Sequence, residues 1–133
     1  MVENKEGLHF AWFTGGRNKG CFHTRSTDNG NGFIQPDRIS PLGSHPQIAS
    51  FSNAGLLVAW DESVQVNNKY YKRIAVQKRS PAGTNVAQAF ITADTMMATY
   101  PVVAALKDNA SLIAYTMKKA GKNYIMYQRV KLE

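Results

Sequence analysis

The sequence predicts an all-β chain made of about three repeated units of four short antiparallel strands. Three observations predict it. Residues 44–60, SHPQIASFSNAGLLVAW, align without a gap on residues 99–115, TYPVVAALKDNASLIAY, at an offset of 55. The second half of that module occurs once more. Gly7-Leu8-His9-Phe10-Ala11-Trp12 matches Gly55-Leu56-Leu57-Val58-Ala59-Trp60 at an offset of 48. Finally, the copies are short apolar runs rich in Val, Ile, Phe, Tyr and Trp, interrupted by Asn, Asp, Gly, Ser and Pro, while no window sustains a 3.6-residue period between helix caps.

The elements follow in order. The first strand of a unit is expected at 45–52 and 100–107, and the first unit lacks one. The second is expected at 7–13, 55–61 and 110–117. The third is expected at 20–27, 71–79 and 123–131, and the fourth at 33–40 and 87–93, with none in the last unit. Asn53-Ala54-Gly55 and Asp108-Asn109-Ala110 lie between paired apolar runs, where a hairpin turn is needed. Residues 86–99 hold several Ala and two Met and are the best helix candidate, but their place in the repeat makes them a strand and a loop. Trp12, Trp60 and Tyr115 recur at one position and are expected in the core between units. Cys21, within a strand, is expected to be a small buried hydrophobe. Antiparallel four-strand units of this size mark the blades of a β-propeller, here about 7–40, 44–94 and 98–131.

Composition narrows the function classes. The 133 residues suit a single domain, residues 1–133, and 44% apolar content is enough for a core. No apolar run approaches the ~20 residues of a membrane helix, and no membrane role is expected. Residues 1–6 have no apolar core, so no signal peptide is expected there. One Cys rules out an internal disulfide and a multi-Cys zinc site. His9 and His23 have no ligand partner at metal spacing in sequence, so neither a metal nor another cofactor is expected. The net charge of +7 favours anionic partners without naming one.

Arg25-Ser26-Thr27-Asp28-Asn29-Gly30-Asn31-Gly32-Phe33 resembles an Asp-box, Ser-x-Asp-x-Gly-x-Thr-Trp, with Phe33 in place of the Trp and Gly32 in place of the Thr. Arg79-Ser80-Pro81-Ala82-Gly83 keeps the Ser and Gly of a second copy without the Asp. With the repeat in phase, the chain resembles the sialidase-like (Asp-box, or BNR) β-propeller family, whose members have six blades. The resemblance implies half of such a ring. It implies that Ser26, Asp28, Gly30 and Phe33 form a structural turn remote from any ligand. Three blades leave a ring open. A homodimer completing six blades is one solution, and a C-terminal fragment of a larger sialidase-like glycosidase or receptor is the other. The family is often extracytoplasmic, although the compartment is not readable from this chain.

Strand directions put the loops between second and third strands on one face, with eight of the 16 basic residues: Arg17, Lys19, Lys69, Lys72, Arg73, Lys118, Lys119 and Lys122. Solvated lysines on exposed loops are one reading, and a face for an anionic glycan or protein is the other. Candidate ligand contacts are Arg17, His45, Asp61, Glu62, Arg73 and Tyr100. His45 and Tyr100 share one repeat position, before Pro46 and Pro101, and would rim the channel. Sialidases use three arginines, a Tyr–Glu nucleophile pair and an Asp. Glu62 is the one Glu in reach, and no such set assembles on these residues, so a non-catalytic binding module is expected. Nucleic acid is not expected, since the aromatic positions are used in the core.

Overall fold

The computed structural model describes residues 1–132, and every regular element among them is a β-strand. There are eleven: β1 (Val2–Asn4), β2 (Gly7–Thr14), β3 (Gly20–Ser26), β4 (Asp37–Ser40), β5 (Gly43–Ser50), β6 (Leu56–Val66), β7 (Lys69–Arg79), β8 (Asn85–Phe90), β9 (Met97–Ala105), β10 (Ser111–Lys119) and β11 (Lys122–Val130). Consecutive strands pair antiparallel as three meanders. The first unit is β1–β4, the second β5–β8 and the third β9–β11. A single parallel pair, Lys72 with Met97, joins β7 to β9, and neither sheet closes on itself.

Two expectations change. The first unit does have a first strand: Val2, Glu3 and Asn4 pair with His9, Leu8 and Gly7. Its three residues carry no apolar alternation, so pattern alone does not reveal it. The strand expected over 33–40 is only Asp37–Ser40, because the turn hydrogen-bonds internally through Gly32 and Pro36 has no N–H to donate. Residues 86–99 are strand and loop, as the repeat requires. The two expected hairpin turns close with Ala54 at φ 69° and Asn109 at φ 62°, and with Phe51 N–H donating to the Gly55 carbonyl and Leu106 N–H to that of Ala110.

The core sits between units. Successive side chains of a strand point to opposite faces. In β6, Leu57 and Ala59 face the third unit, joining Ile74, Val76, Ala98, Ile113 and Tyr115 in one cluster. Val58 and Trp60 face the first unit, meeting Cys21 with Ala11, Ile39 and Ile48. The second unit is therefore covered on both faces, which is why Leu56 to Trp60 reads as an unbroken apolar run. Each end unit is covered on one face only. Trp60 and Tyr115 are buried as expected. Trp12, at the equivalent position in the first unit, is half-exposed and lines a surface cleft instead.

Candidate functional site

β6 runs parallel to β10, since each is antiparallel to a strand of the parallel β7–β9 pair. The β6–β7 and β10–β11 hairpins thus share one end of the molecule. The β2–β3 loop joins them, because Phe13 and Lys19 lie in one cleft with Gly43, Ser44 and Ser63. This end presents Arg17, Lys19, Lys69, Lys118, Lys119 and Lys122, all exposed. Among the described residues none of the six pairs with a carboxylate.

Two matching bulges shape this end. His45 and Pro46 interrupt the β5–β6 ladder between Ser44 and Gln47, and Tyr100 and Pro101 interrupt β9–β10 opposite Tyr115. His45 and Tyr100 both lie in the left-handed region, at φ 52° and 55°, a conformation that costs a non-glycine residue roughly 1 kcal/mol or more. Asp61 holds both. Its fully buried carboxylate accepts from His45 Nδ1 at 2.8 Å and from the Tyr100 backbone N–H at 2.9 Å, both on Oδ2. Oδ1 accepts from Lys72 Nζ at 3.3 Å. One carboxylate so ties the bulge of the second unit to that of the third. Above it the rings of His45 and Tyr100 lie 4.1 Å apart between centroids, and Phe13 is 4.9 Å from His45. Tyr100 and Phe13 stay exposed, so the three rings form a strip over a buried anion.

The other candidates are elsewhere. Glu62 follows Asp61 and therefore faces the first unit. Its carboxylate accepts from Arg73 at 2.8 and 3.2 Å, from Trp60 Nε1 at 2.8 Å and from Ser40 Oγ at 3.0 Å. Arg73 also donates to Asp94 and lies 3.6 Å over the Phe90 ring. These bonds occupy the guanidinium and leave Glu62 nearly buried, so neither is offered to a ligand. Arg17 is apart from the strip, on the rim of a cleft with Trp12, Phe22 and Pro36. Ser26, Asp28, Gly30 and Phe33 form the turn after β3 at the opposite end. Asp28 Oδ1 accepts from Ser26 Oγ and Gly32 N–H, both at 2.8 Å, and these contacts, the Gly32 amide foremost, hold its carboxyl below the usual range. Gly30 takes φ 85°, and Phe33 meets Phe10 edge-on at 5.3 Å.

Sequence spacing misses a second polar cluster, at the opposite end. His9 and His23 stack at 5.2 Å, with Nδ1 of His9 3.0 Å from Nε2 of His23. Asn4 donates from Nδ2 to the Ala54 and Pro81 carbonyls, so its Oδ1 must accept from His9 Nε2. Asp37 accepts from His23 Nδ1 at 3.0 Å and also from Arg79. With His9 Nε2 donating to Asn4, His9 Nδ1 is the nitrogen left to accept across the histidine pair. Burial, with the His23 charge second, pushes His9 down to about 4. Hairpin register brings the two together: Ala11 lies opposite His23 and His9 opposite Arg25, so both histidines share a face. The cluster ties the first two units together through Asn4, which donates to the Ala54 and Pro81 carbonyls, and through Arg79, which donates to Asp37. Among the described residues no three His, Cys, Asp or Glu converge to hold a metal ion. Compared with family models, curated proteins and solved structures, the chain matches none of them.

Proposed function

We propose that this chain is a non-catalytic, sialidase-like propeller module that binds an anionic glycan, or an anionic protein partner, at its basic end. The reading of the meanders as blades is supported by their stacking face to face, with β5 packed between β1 and β9 as innermost strands would be. The observation that carries the binding reading is the set of six exposed, unpaired cations at the same end of the molecule as an exposed strip of aromatic rings. Carboxylates of a ligand are drawn to the cations, and sugar faces stack on Tyr100 and Phe13. Asp61 and Glu62 are neutralised beneath the surface and do not oppose that field.

The non-catalytic reading is supported by Glu62. The one Glu in reach of the basic end is enclosed by Arg73, Trp60 and Ser40 and cannot reach a substrate without breaking those bonds. A fluorogenic sialoside turned over by the purified chain would overturn it.

The test of binding is titration with sialylated glycans and their neutral counterparts. Replacing Lys118, Lys119 and Lys122 together with Glu leaves the fold intact, since all three are exposed, and is expected to lower affinity for the sialylated series at least tenfold. Unchanged affinity would remove the basic end as the binding surface.

A further inference from the structure

The repeat lets each uncovered face be compared with its covered counterpart. In the second unit, the face toward the third carries Leu57, Ala59, Ile74 and Val76, all fully buried. The same face of the third unit carries Leu112, Ala114, Ile125 and Tyr127, where Thr116 pairs with Ile125 and Ala114 with Tyr127 as Asp61 pairs with Ile74 and Ala59 with Val76. Among the described residues nothing covers it. Ile125 is 76% exposed, Tyr127 75% and Val102, in the same row, 55%. The first unit shows the converse. Leu8, Phe10 and Trp12 stand where the second unit has Leu56, Val58 and Trp60, which are fully buried against a neighbour, yet all three are half-exposed. Broad apolar faces of this kind mark interaction surfaces.

We propose that these two faces bind each other between two copies of this chain, head to tail. The third unit of one copy takes the place against the first unit of the other that units take against each other within the chain. The occupant is a second copy because the complementary surface is already on the molecule. Each internal junction joins one face of the outer type to one of the inner type, and the chain ends with one of each unpaired. Three units from each copy then make six, within the ~4–8 of closed propellers, and the two-fold arrangement contains two identical junctions. Closure at two copies rests on the blade reading given above, but not on the anion site, and solution mass is read independently of glycan binding.

Sedimentation equilibrium of the whole chain tests the proposal, with twice the 14.7 kDa chain mass expected. Ile125→Lys with Tyr127→Glu should give a folded monomer, because both positions are exposed. Trp12→Arg should do the same from the other face. Mixing the two variants should restore the two-copy mass, since one junction of the mixed pair has both faces intact. A wild-type chain of single mass overturns the proposal. So does a mixture that stays monomeric, so does either variant keeping the two-copy mass, which marks a face-to-same-face dimer, and so does open-ended growth, which refutes closure. If the Trp12 variant fails to fold, the double variant alone decides: persistence of the two-copy mass overturns the interface.

Discussion

Replacing Asp61 with Ala is the sharpest perturbation of the end that carries the two bulges. The carboxylate is fully buried and accepts three hydrogen bonds, from His45, Tyr100 N–H and Lys72. Truncation strands the Tyr100 amide in a left-handed backbone, which costs about 1–3 kcal/mol for an unsatisfied buried donor. His45 and Lys72 keep 30% and 26% of their side-chain surface in water and recover part of their solvation, so each loss is discounted to about 1 kcal/mol. The sum is about 3–5 kcal/mol, the range for breaking a buried ion pair from one side. At roughly 3–4 °C per kcal/mol for a chain of this size, Tm should fall by about 10–20 °C. Asp61→Asn should cost less, because its amide oxygen can still serve both His45 and Tyr100 while only Lys72 faces the NH2 group. Urea denaturation of the three proteins measures both differences. A loss below ~1 kcal/mol for the Ala variant, or an Asn variant as damaged as the Ala one, would refute the account of Asp61 as the tie between bulges.

Three further outcomes are expected. His9 titrates near 4 when folded against 6.5 when unfolded, so its share of stability is intact above pH 6.5 and is lost as pH falls toward 4. That share reaches about 3 kcal/mol, readable as a fall in urea midpoint from pH 7 to 4.5 that His9→Gln flattens, and imidazole NMR showing an ordinary titration would refute it. Gly83→Ala should cost about 2 kcal/mol more than Gly121→Ala in thermal melts: both glycines have positive φ, but a Cβ on Gly83 would lie 2.4 Å from His23 Cε1 whereas Gly121 faces open space, and equal costs would contradict the packing. Burial pushes the Cys21 thiol up to about 12, so a disulfide reagent at pH 8 should label it only on unfolding, and prompt native labelling would show the site to be open.

The repeat was legible because its apolar positions recur with the strand period and its turns carry their own chemistry. His45 and Tyr100 could be chosen from sequence by their shared repeat position, and Asp61 only as an acidic residue among the basic loops. Why they meet could not, since that depends on two bulges which turn an X-Pro step into a left-handed residue. Asp61 and Glu62 look equivalent in sequence, and alternation sends them to opposite faces, where Arg73 goes with Glu62. The His9–His23–Asp37 chain was hidden because residues distant in sequence become neighbours only once hairpin register is known. Trp12 shares its position with Trp60 and Tyr115, but position in a repeat does not report whether a neighbouring unit exists on that side.

Coverage of the middle meander on both sides also orders how the molecule comes apart. Stability in stacked repeats is shared between a unit and its neighbours, so a slab with two neighbours opens last. Amide protons of β6 and β7 should outlast those of β3 and β10 in deuterium exchange. Loosening should start at the two flanks and move inward, leaving Leu57, Val58 and Trp60 as the final dry contact.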